Sequence, residues 1–340
     1  MTTCSMTFPP QISLAQLPTP VQSLRRLSEK YGVELYVKRD DLTGAVLSGN
    51  KIRKLEFVLA DALAKKCDTV ITCGGAQSNH CRATAAAAAT LGLKCRLLLR
   101  TPEPANPPPA EGNILLDRMA GAEISWITPQ DYQRRAELMA RQAAALKDSG
   151  RSAYTIPEGA STALGALGYV RAMEELVNDI TNTLGGADSD CTIIHAAGSG
   201  GTSAGLILGA KIFDVSARIA AVNVCDDRDY FVRVIGDICD QAIADYQLDI
   251  EVDRRRDIDI IDGYVGRGYA LSRPEELELL CEVARTEGIF LDPVYTGKAF
   301  FGMIQELKRD AKCFGERIIF LHTGGIFGLF PQAGEISPLL

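Results

Sequence analysis

No apolar run in this 340-residue chain approaches the roughly 18 residues that a membrane-crossing helix needs. Positive charge is not in excess either. The 36 basic and 43 acidic residues leave a net charge of −7, so no general attraction to nucleic acid or to an anionic membrane surface is expected. Histidine is scarce, with only His80, His195 and His322, and none of the ten cysteines forms a CxxC pair. That argues against a structural zinc site, and no metal is expected. The cysteines are scattered from Cys4 to Cys313, a pattern that fits free, mostly buried thiols in a reducing compartment. The opening segment MTTCSMTFPPQ has neither the basic nor the apolar part of a secretory signal. These absences predict a soluble, cytoplasmic protein.

What is present is an ordinary globular composition, 46% hydrophobic and 23% charged, in a chain long enough for two domains or one large body. Short runs rich in β-formers alternate with helical periodicities. Strands are predicted at 33–38, 69–73, 94–99, 123–127, 153–156, 191–195, 218–224 and 317–322, with helices between them. Helices are expected over 21–31, over 51–66, over 129–149 and over 165–184, the last stopped by Gly185-Gly186. The proline-rich stretch 101–109 reads as a loop, and no internal repeat is evident. The class is therefore α/β with mainly parallel sheets.

Three stretches carry chemistry. In Ser48–Phe57 (SGNKIRKLEF), Asn50 is a plausible N-cap, which would put Lys51 on the first helical turn. The helix macrodipole favours anions there, so a lysine makes sense if an anion, or an anion bearing an aldehyde, binds beside it. A strand running into Gly198-Ser199-Gly200-Gly201-Thr202 and then into a helix has the composition of a phosphate cup. It is neither a dinucleotide fingerprint nor a P-loop, since no GK[ST] follows. A third turn, Gly74–His80, presents Gln77, Ser78, Asn79 and His80 where a carboxylate or phenolate oxygen could be held. His80 and His322 are acid–base candidates or hydrogen-bonded structural histidines. A lysine, a phosphate cup and polar strand ends together point to pyridoxal 5'-phosphate. Its lysine must lose a proton, which burial and the neighbouring Arg53 and Lys54 would favour.

SGNKIRKLEF, GGAQSNHCRATAA, GSGGTSAG, DPVYTGK and HTGG, in this order over nearly the whole chain, resemble the D-cysteine desulfhydrase and 1-aminocyclopropane-1-carboxylate (ACC) deaminase family. The resemblance implies a tryptophan-synthase-β-like, fold type II pyridoxal-phosphate enzyme, with two open twisted, mostly parallel sheets flanked by helices. It implies a large cofactor-binding domain of residues 1–49 and 161–340, a smaller inserted domain of residues 50–160, an active site between them, and a homodimer. It also implies residue roles. Lys51 would be the Schiff-base lysine, Lys54 would lie near the phosphate, and Asn79 would contact the phenolic oxygen. Gly198, Ser199, Gly200, Gly201 and Thr202 would hold the phosphate, and Thr323 would partner the ring nitrogen. Ser78, Tyr269 and Tyr295 would serve catalysis. Ser78, Asn79, His80, Gly159, Tyr269, Tyr295 and Thr296 would surround a small amino-acid substrate.

ACC deaminases resemble this pattern but carry glutamate in place of Thr296 and leucine in place of Thr323. A glutamate there would hold the pyridine ring protonated, the strong electron sink that opening a cyclopropane requires. Neutral threonines suffice to expel a thiolate, so the pair favours β-elimination, with D-cysteine yielding pyruvate, hydrogen sulfide and ammonia. Cys225–Phe231 (CDDRDYF) resembles the plant desulfhydrase subgroup. ACC deamination, cysteate sulfo-lysis and a binding protein with little activity are the alternatives. For cysteate, Arg82 or Arg267 could pair with the sulfonate. One departure is Glu158-Gly159-Ala160-Ser161-Thr162, where many relatives have Val-Gly-Gly-Ser-Asn. Glu158 is expected to face solvent; pointing inward, it would repel acidic substrates.

Overall fold

The computed structural model describes residues 6–185 and 191–340. Its strands form two sheets. The larger has six, in the order β1 (Val21–Ser23), β2 (Glu34–Lys38), β10 (Arg317–Leu321), β7 (Cys191–Ala197), β8 (Arg218–Asn223) and β9 (Asp259–Ile261). The smaller has four: β5 (Glu123–Ile127), β4 (Lys94–Arg100), β3 (Thr69–Gly75) and β6 (Ala153–Thr155). Every pairing is parallel except β1 with β2. Central strands β3 and β7 are buried along their whole length, as the continuous apolar runs require of strands covered on both faces.

The helices among the described residues are α1 (Arg25–Tyr31), α2 (Asn50–Ala64), α3 (Asn79–Thr90), α4 (Gly112–Met119), α5 (Pro129–Tyr132), α6 (Arg135–Asp148), α7 (Ala163–Asn178), α8 (Gly201–Ile212), α9 (Arg228–Tyr246), α10 (Pro274–Glu287), α11 (Thr296–Arg309) and α12 (Ala333–Ile336). Close packing of α7 on α8 depends on small residues. A Cβ at Gly205 would stand 2.2 Å from the Ala166 carbonyl oxygen, and one at Gly209 would stand 2.6 Å from the Met173 side chain. Likewise Gly168 of α7 admits the backbone of α2, where an added Cβ would lie 2.3 Å from the Arg53 carbonyl.

Several elements differ from expectation. The segment 21–31 is not one helix: Val21–Ser23 pairs with β2 as an edge strand before α1 begins. The helix expected over 129–149 breaks into α5 and α6. The one expected to end at Leu184 leaves α-geometry at Asn178 and continues as a π-turn over Asp179–Thr183. Gly186 of its proposed stop signal lies outside the described residues. At α2 the N-cap is Gly49, not Asn50. The backbone there has φ of 100°, and an added Cβ would lie 2.6 Å from the Thr323 carbonyl, so only glycine fits.

Candidate active site

Asn50, Lys51, Ser78, Asn79, His80, Gly159, Gly198, Ser199, Gly200, Thr202, Tyr269, Tyr295 and Thr323 line one cavity where the two sheets meet. The ends of β3 and β7, the first turns of α2, α3 and α8, and the HTGG segment all open onto it. This is the crevice beyond the carboxyl ends of parallel strands where open α/β sheets bind ligands.

Lys51 sits on the first turn of α2, and its Nζ lies 3.1 Å from the Asn50 side-chain oxygen. Burial lowers its pKa to about 8, with Glu158 and Asp292 pulling weakly upward and Arg82 adding to the fall. The amine is thus free at mildly alkaline pH, as a nucleophile must be. Arg53 plays no part in this. Its guanidinium is buried against Asp40 and Glu175, and none of the three residues lines the cavity. Lys54 is fully buried, and burial together with the charge of Lys51 pushes its pKa well down.

The glycine-rich run Gly198–Gly200 joins β7 to α8 and packs against residues from outside it. Lys54 Nζ donates to the Gly159 carbonyl at 3.1 Å, and the Gly201 N–H donates to Ser161 Oγ at 3.2 Å. Ser161 Oγ in turn donates to Ser199 Oγ at 2.8 Å, and Asn50 Nδ2 donates to Thr202 Oγ1 at 3.0 Å. The hydroxyl of Ser203, buried and on the cavity wall, has no hydrogen-bond partner among the described residues. Side chains are excluded from the cradle: a Cβ at Gly201 would sit 2.8 Å from Ser161 Oγ and 2.9 Å from Lys54 Nζ. Hydroxyls, a buried amine, an unpaired donor and the positive end of α8 suit a phosphate group. Ser161 and Asn50 were missed as cup residues, because neither lies in the glycine-rich run. Gly201→Ala is expected to weaken retention of pyridoxal phosphate roughly ten- to a hundredfold by overpacking this cradle, read by cofactor absorbance against free cofactor concentration.

In the QSNH turn only part of the polar cluster turns inward. Gln77 reaches the start of α4, accepting from the Asn113 N–H and donating to the Glu111 carbonyl. Ser78 caps α3, its Oγ accepting from the Cys81 N–H at 3.2 Å, and also lines the cavity. Asn79 is oriented by Asn113, whose Nδ2 donates to Asn79 Oδ1 at 3.0 Å. With its oxygen engaged, Asn79 is left with N–H donors to offer an oxygen in the cavity. Asn113 is itself fixed by Arg82, whose Nε donates to Asn113 Oδ1 while its other nitrogens bind the Val46 and Ser48 carbonyls. Arg82 is therefore a buried brace for the loop before Lys51, and Arg267 donates to the Ser272 carbonyl outside the cavity. Neither is placed to meet a sulfonate there.

His80 Nε2 lies 2.8 Å from Thr72 Oγ1, and that hydroxyl donates its one proton to the Ile156 carbonyl. Nε2 must then be the donor, leaving Nδ1 as a bare acceptor with no partner among the described residues. Burial, with the charges of Lys51 and Lys54, holds the ring neutral. His322 is structural: Nε2 faces the Phe290 carbonyl, and Nδ1 accepts from the Gly324 N–H.

The far wall carries Tyr269 and Tyr295, whose hydroxyls are 2.6 Å apart. The loop bearing Tyr269 is held by Lys298 of α11. The Lys298 ammonium donates to the carbonyls of Val265, Gly268 and Leu271 at 2.6, 2.7 and 3.0 Å. Sequence reasoning gave Lys298 no role, because the three carbonyls it meets lie 27 to 33 residues away in the chain.

Two expectations are corrected. Thr296 does not line the cavity. Its Oγ1 donates to Asp292 Oδ1 at 2.8 Å and its N–H to the same oxygen, so it completes a buried turn with Asp292 rather than meeting substrate. Glu158 does not simply face solvent. It lines both the inner cavity and an outer vestibule of about 1080 Å³, where the Arg135 guanidinium lies 3.5 Å from its carboxylate.

A lysine with a depressed pKa opposite a phosphate cradle, between two open parallel sheets, defines the fold type II class of pyridoxal-phosphate enzymes. The profile of the family described as "Pyridoxal-phosphate dependent enzyme" matches residues 12–324, and the chain belongs to that family. It is 41% identical over 333 residues to the "Bifunctional D-cysteine desulfhydrase/1-aminocyclopropane-1-carboxylate deaminase, mitochondrial" of Arabidopsis thaliana, covering 96% of this chain and 81% of that one. It is 38% identical over 324 residues to the "D-cysteine desulfhydrase" of Klebsiella pneumoniae, covering 94% of this chain and 95% of that one. Among solved structures, an ACC deaminase homologue superposes with a TM-score of 0.87 at 37% identity, covering 97% of this chain and 96% of that one. Pyridoxal phosphate is the cofactor, and the cradle and cavity described above fit it.

Proposed function

We propose that this pyridoxal-phosphate-dependent lyase carries out β-elimination on a small amino acid, with D-cysteine as the substrate and pyruvate, sulfide and ammonia as products. Lys51 would hold the cofactor's aldehyde carbon, Asn79 its phenolic oxygen, Thr323 its ring nitrogen, and Gly198–Thr202 with Lys54 its phosphate. The bound cofactor supplies an electron sink for the charge that develops at Cα when its proton leaves. The chain's own residues do the rest. Lys51 Nζ, whose pKa burial lowers to about 8, takes the Cα proton in its unprotonated form. The Ser78 hydroxyl and the amide of Asn79 bind the substrate carboxylate at the positive end of α3. The paired phenols of Tyr269 and Tyr295 stand where a leaving thiolate can be protonated.

The observation that carries the choice of elimination over ring opening is the neutral hydroxyl of Thr323 in the cavity wall. An uncharged partner does not hold a pyridine ring protonated, and expelling a thiolate needs less carbanion stabilisation than opening a cyclopropane. With Thr296 turned to Asp292, this argument rests on Thr323 alone. The Arabidopsis and Klebsiella relatives, whose names include D-cysteine desulfhydrase, support the reading, and the bifunctional plant protein makes ACC the second substrate to test. We further place the domain boundary so that residues 50–160, which contain all four strands of the smaller sheet, form the inserted domain. The assembly proposed is a homodimer in the cytoplasm.

The deciding experiment supplies purified holoenzyme with D-cysteine, L-cysteine, ACC and L-cysteate side by side. Sulfide and pyruvate from D-cysteine are the expected result. Dominant 2-oxobutanoate from ACC, or sulfite from cysteate, would overturn the substrate assigned here.

A further inference from the structure

Arg100 is the last residue of β4, paired in register with Gly75 at the end of β3. Its guanidinium carbon lies 4.8 Å from the ring centroid of Tyr132 and 4.9 Å from that of Tyr269. Tyr132 closes α5, which follows β5 of the four-stranded sheet, whereas Tyr269 lies in the loop held by Lys298 of α11, on the other side of the cavity. One cation is therefore held between an aromatic ring from each side of the cleft. Gly75 is part of the same contact. A Cβ there would stand 3.3 Å from the Tyr269 ring and 3.5 Å from its hydroxyl, so the bare strand end lets the ring close down on β3 and β4.

Among the described residues the Arg100 side chain forms neither an ion pair nor a hydrogen bond, and Glu158 on the same wall is matched to Arg135 instead. An arginine without a carboxylate, stacked on the phenol that meets Tyr295, has an unspent positive charge beside the reaction site.

We propose that Arg100 is a positioning residue that acts through Tyr269, stacking on its ring to hold the phenol against Tyr295 and supplying positive charge to this pair. The proposal deepens the assignment of this cavity as the reaction site and rests on it. The surrounding charges are consistent with that role. Burial raises Tyr269 to about 12, while the hydrogen bond with Tyr295 and the charge of Arg100 pull it down, and Glu158 and Cys225 push it up. Tyr295 is raised further, by burial first and then by Tyr269, with Glu158 and Asp292 adding to it. Tyr132 faces Arg100 from the opposite side, and the Lys298 ammonium spends its donors on the loop carbonyls. Arg100 is thus the cation that favours Tyr269 as the more acidic phenol.

The test places 3,5-difluorotyrosine at position 269, whose phenol titrates far below that of tyrosine, and follows its fluorine resonance against pH. The holoenzyme is compared with Arg100→Met and Arg100→Lys. Arg100→Met should raise the titration midpoint by about one pH unit, and Arg100→Lys, which keeps a cation, by clearly less. In the unlabelled enzyme Arg100→Met should lower kcat about tenfold while KM changes less than about threefold, with partial recovery in Arg100→Lys. An unmoved fluorine titration in a folded Arg100→Met protein would overturn the proposal, whatever happens to kcat. Because that titration needs no turnover, it stays informative even if every amino acid in the substrate panel fails. A shifted titration with no turnover would place the fault in the substrate assignment.

Discussion

Lys51→Ala is expected to lower kcat for pyruvate formation by about a thousandfold or more while leaving the protein folded. The variant removes the amine that both holds the cofactor and takes the Cα proton, and a positioned base alone contributes on the order of 100- to 10,000-fold. Little stability is at stake, because the Lys51 side chain makes one hydrogen bond, to Asn50, and packs against the cavity instead of the core. Thermal unfolding of the cofactor-free proteins checks that point, and the pyruvate assay checks the rate. The wild-type lysine also predicts a pH dependence. Burial sets its pKa at about 8, and only the unprotonated amine reacts with an aldehyde, so loading of pyridoxal phosphate onto stripped protein should accelerate as pH rises and level off above that value. Loading that is flat from pH 6 to 9, a range bracketing the ordinary reaction conditions of about neutral pH, would show that burial does not control this group.

Arg53→Leu should produce the largest loss of stability of any single substitution near the site. Arg53, only 1% exposed, binds Asp40 through Nε at 2.9 Å and Nη2 at 2.8 Å, and binds Glu175 through Nη1 at 2.7 Å and Nη2 at 2.9 Å. Lys38, also buried, donates to the Thr19 carbonyl and to Asp179 in the same network. Removing one member leaves Asp40 as a buried carboxylate short of its main partner, which costs about 3–5 kcal/mol. For a chain of this size that corresponds to a fall in Tm of roughly 4–7 °C. The pH dependence has a definite sign. Burial alone would raise Asp40, but the charge and hydrogen bonds of Arg53, with Tyr169 and Lys38, carry its pKa below the ordinary value. A carboxylate so lowered stabilises the fold above its unfolded pKa and loses that contribution as pH falls through its folded one. The stability gap between wild type and Arg53→Leu should therefore be full at neutral pH and narrow in acid. Urea midpoints at pH 7 and at pH 4 test this, and a gap that widened in acid would contradict the pairing.

The same network explains why so much of the site could be read from sequence while its supports could not. Lys51, Ser78, Asn79 and the Gly198–Thr202 run announce themselves because local rules forbid or discourage them without a ligand. A cation at a helix start and three glycines between a strand and a helix both need a reason. Supports do not break local rules. Arg53 reads as a cation that lowers its neighbour Lys51, and Lys298 and Arg100 draw no role at all; each takes its place from a partner distant in sequence. Asn113 orients Asn79 across 34 residues, and no motif marks it. Where local chemistry admits two solutions, sequence reasoning chose the commoner one. Asn50 is a better N-cap than glycine on composition, yet the approach of the Thr323 carbonyl demands Gly49. Thr296 fits a pocket wall until Asp292, four residues earlier, takes its hydroxyl and amide. The strand β1 is three residues long and largely exposed, which leaves no periodicity to detect.

The most direct test of the central assignment is chemical. Borohydride reduction of the holoenzyme fixes pyridoxal phosphate to whichever amine carries it, and peptide mass analysis then locates that amine. The expected result is a single modified residue, Lys51, with Lys54 unmodified. Modification at Lys54, or none on either lysine, would contradict the account of this cavity.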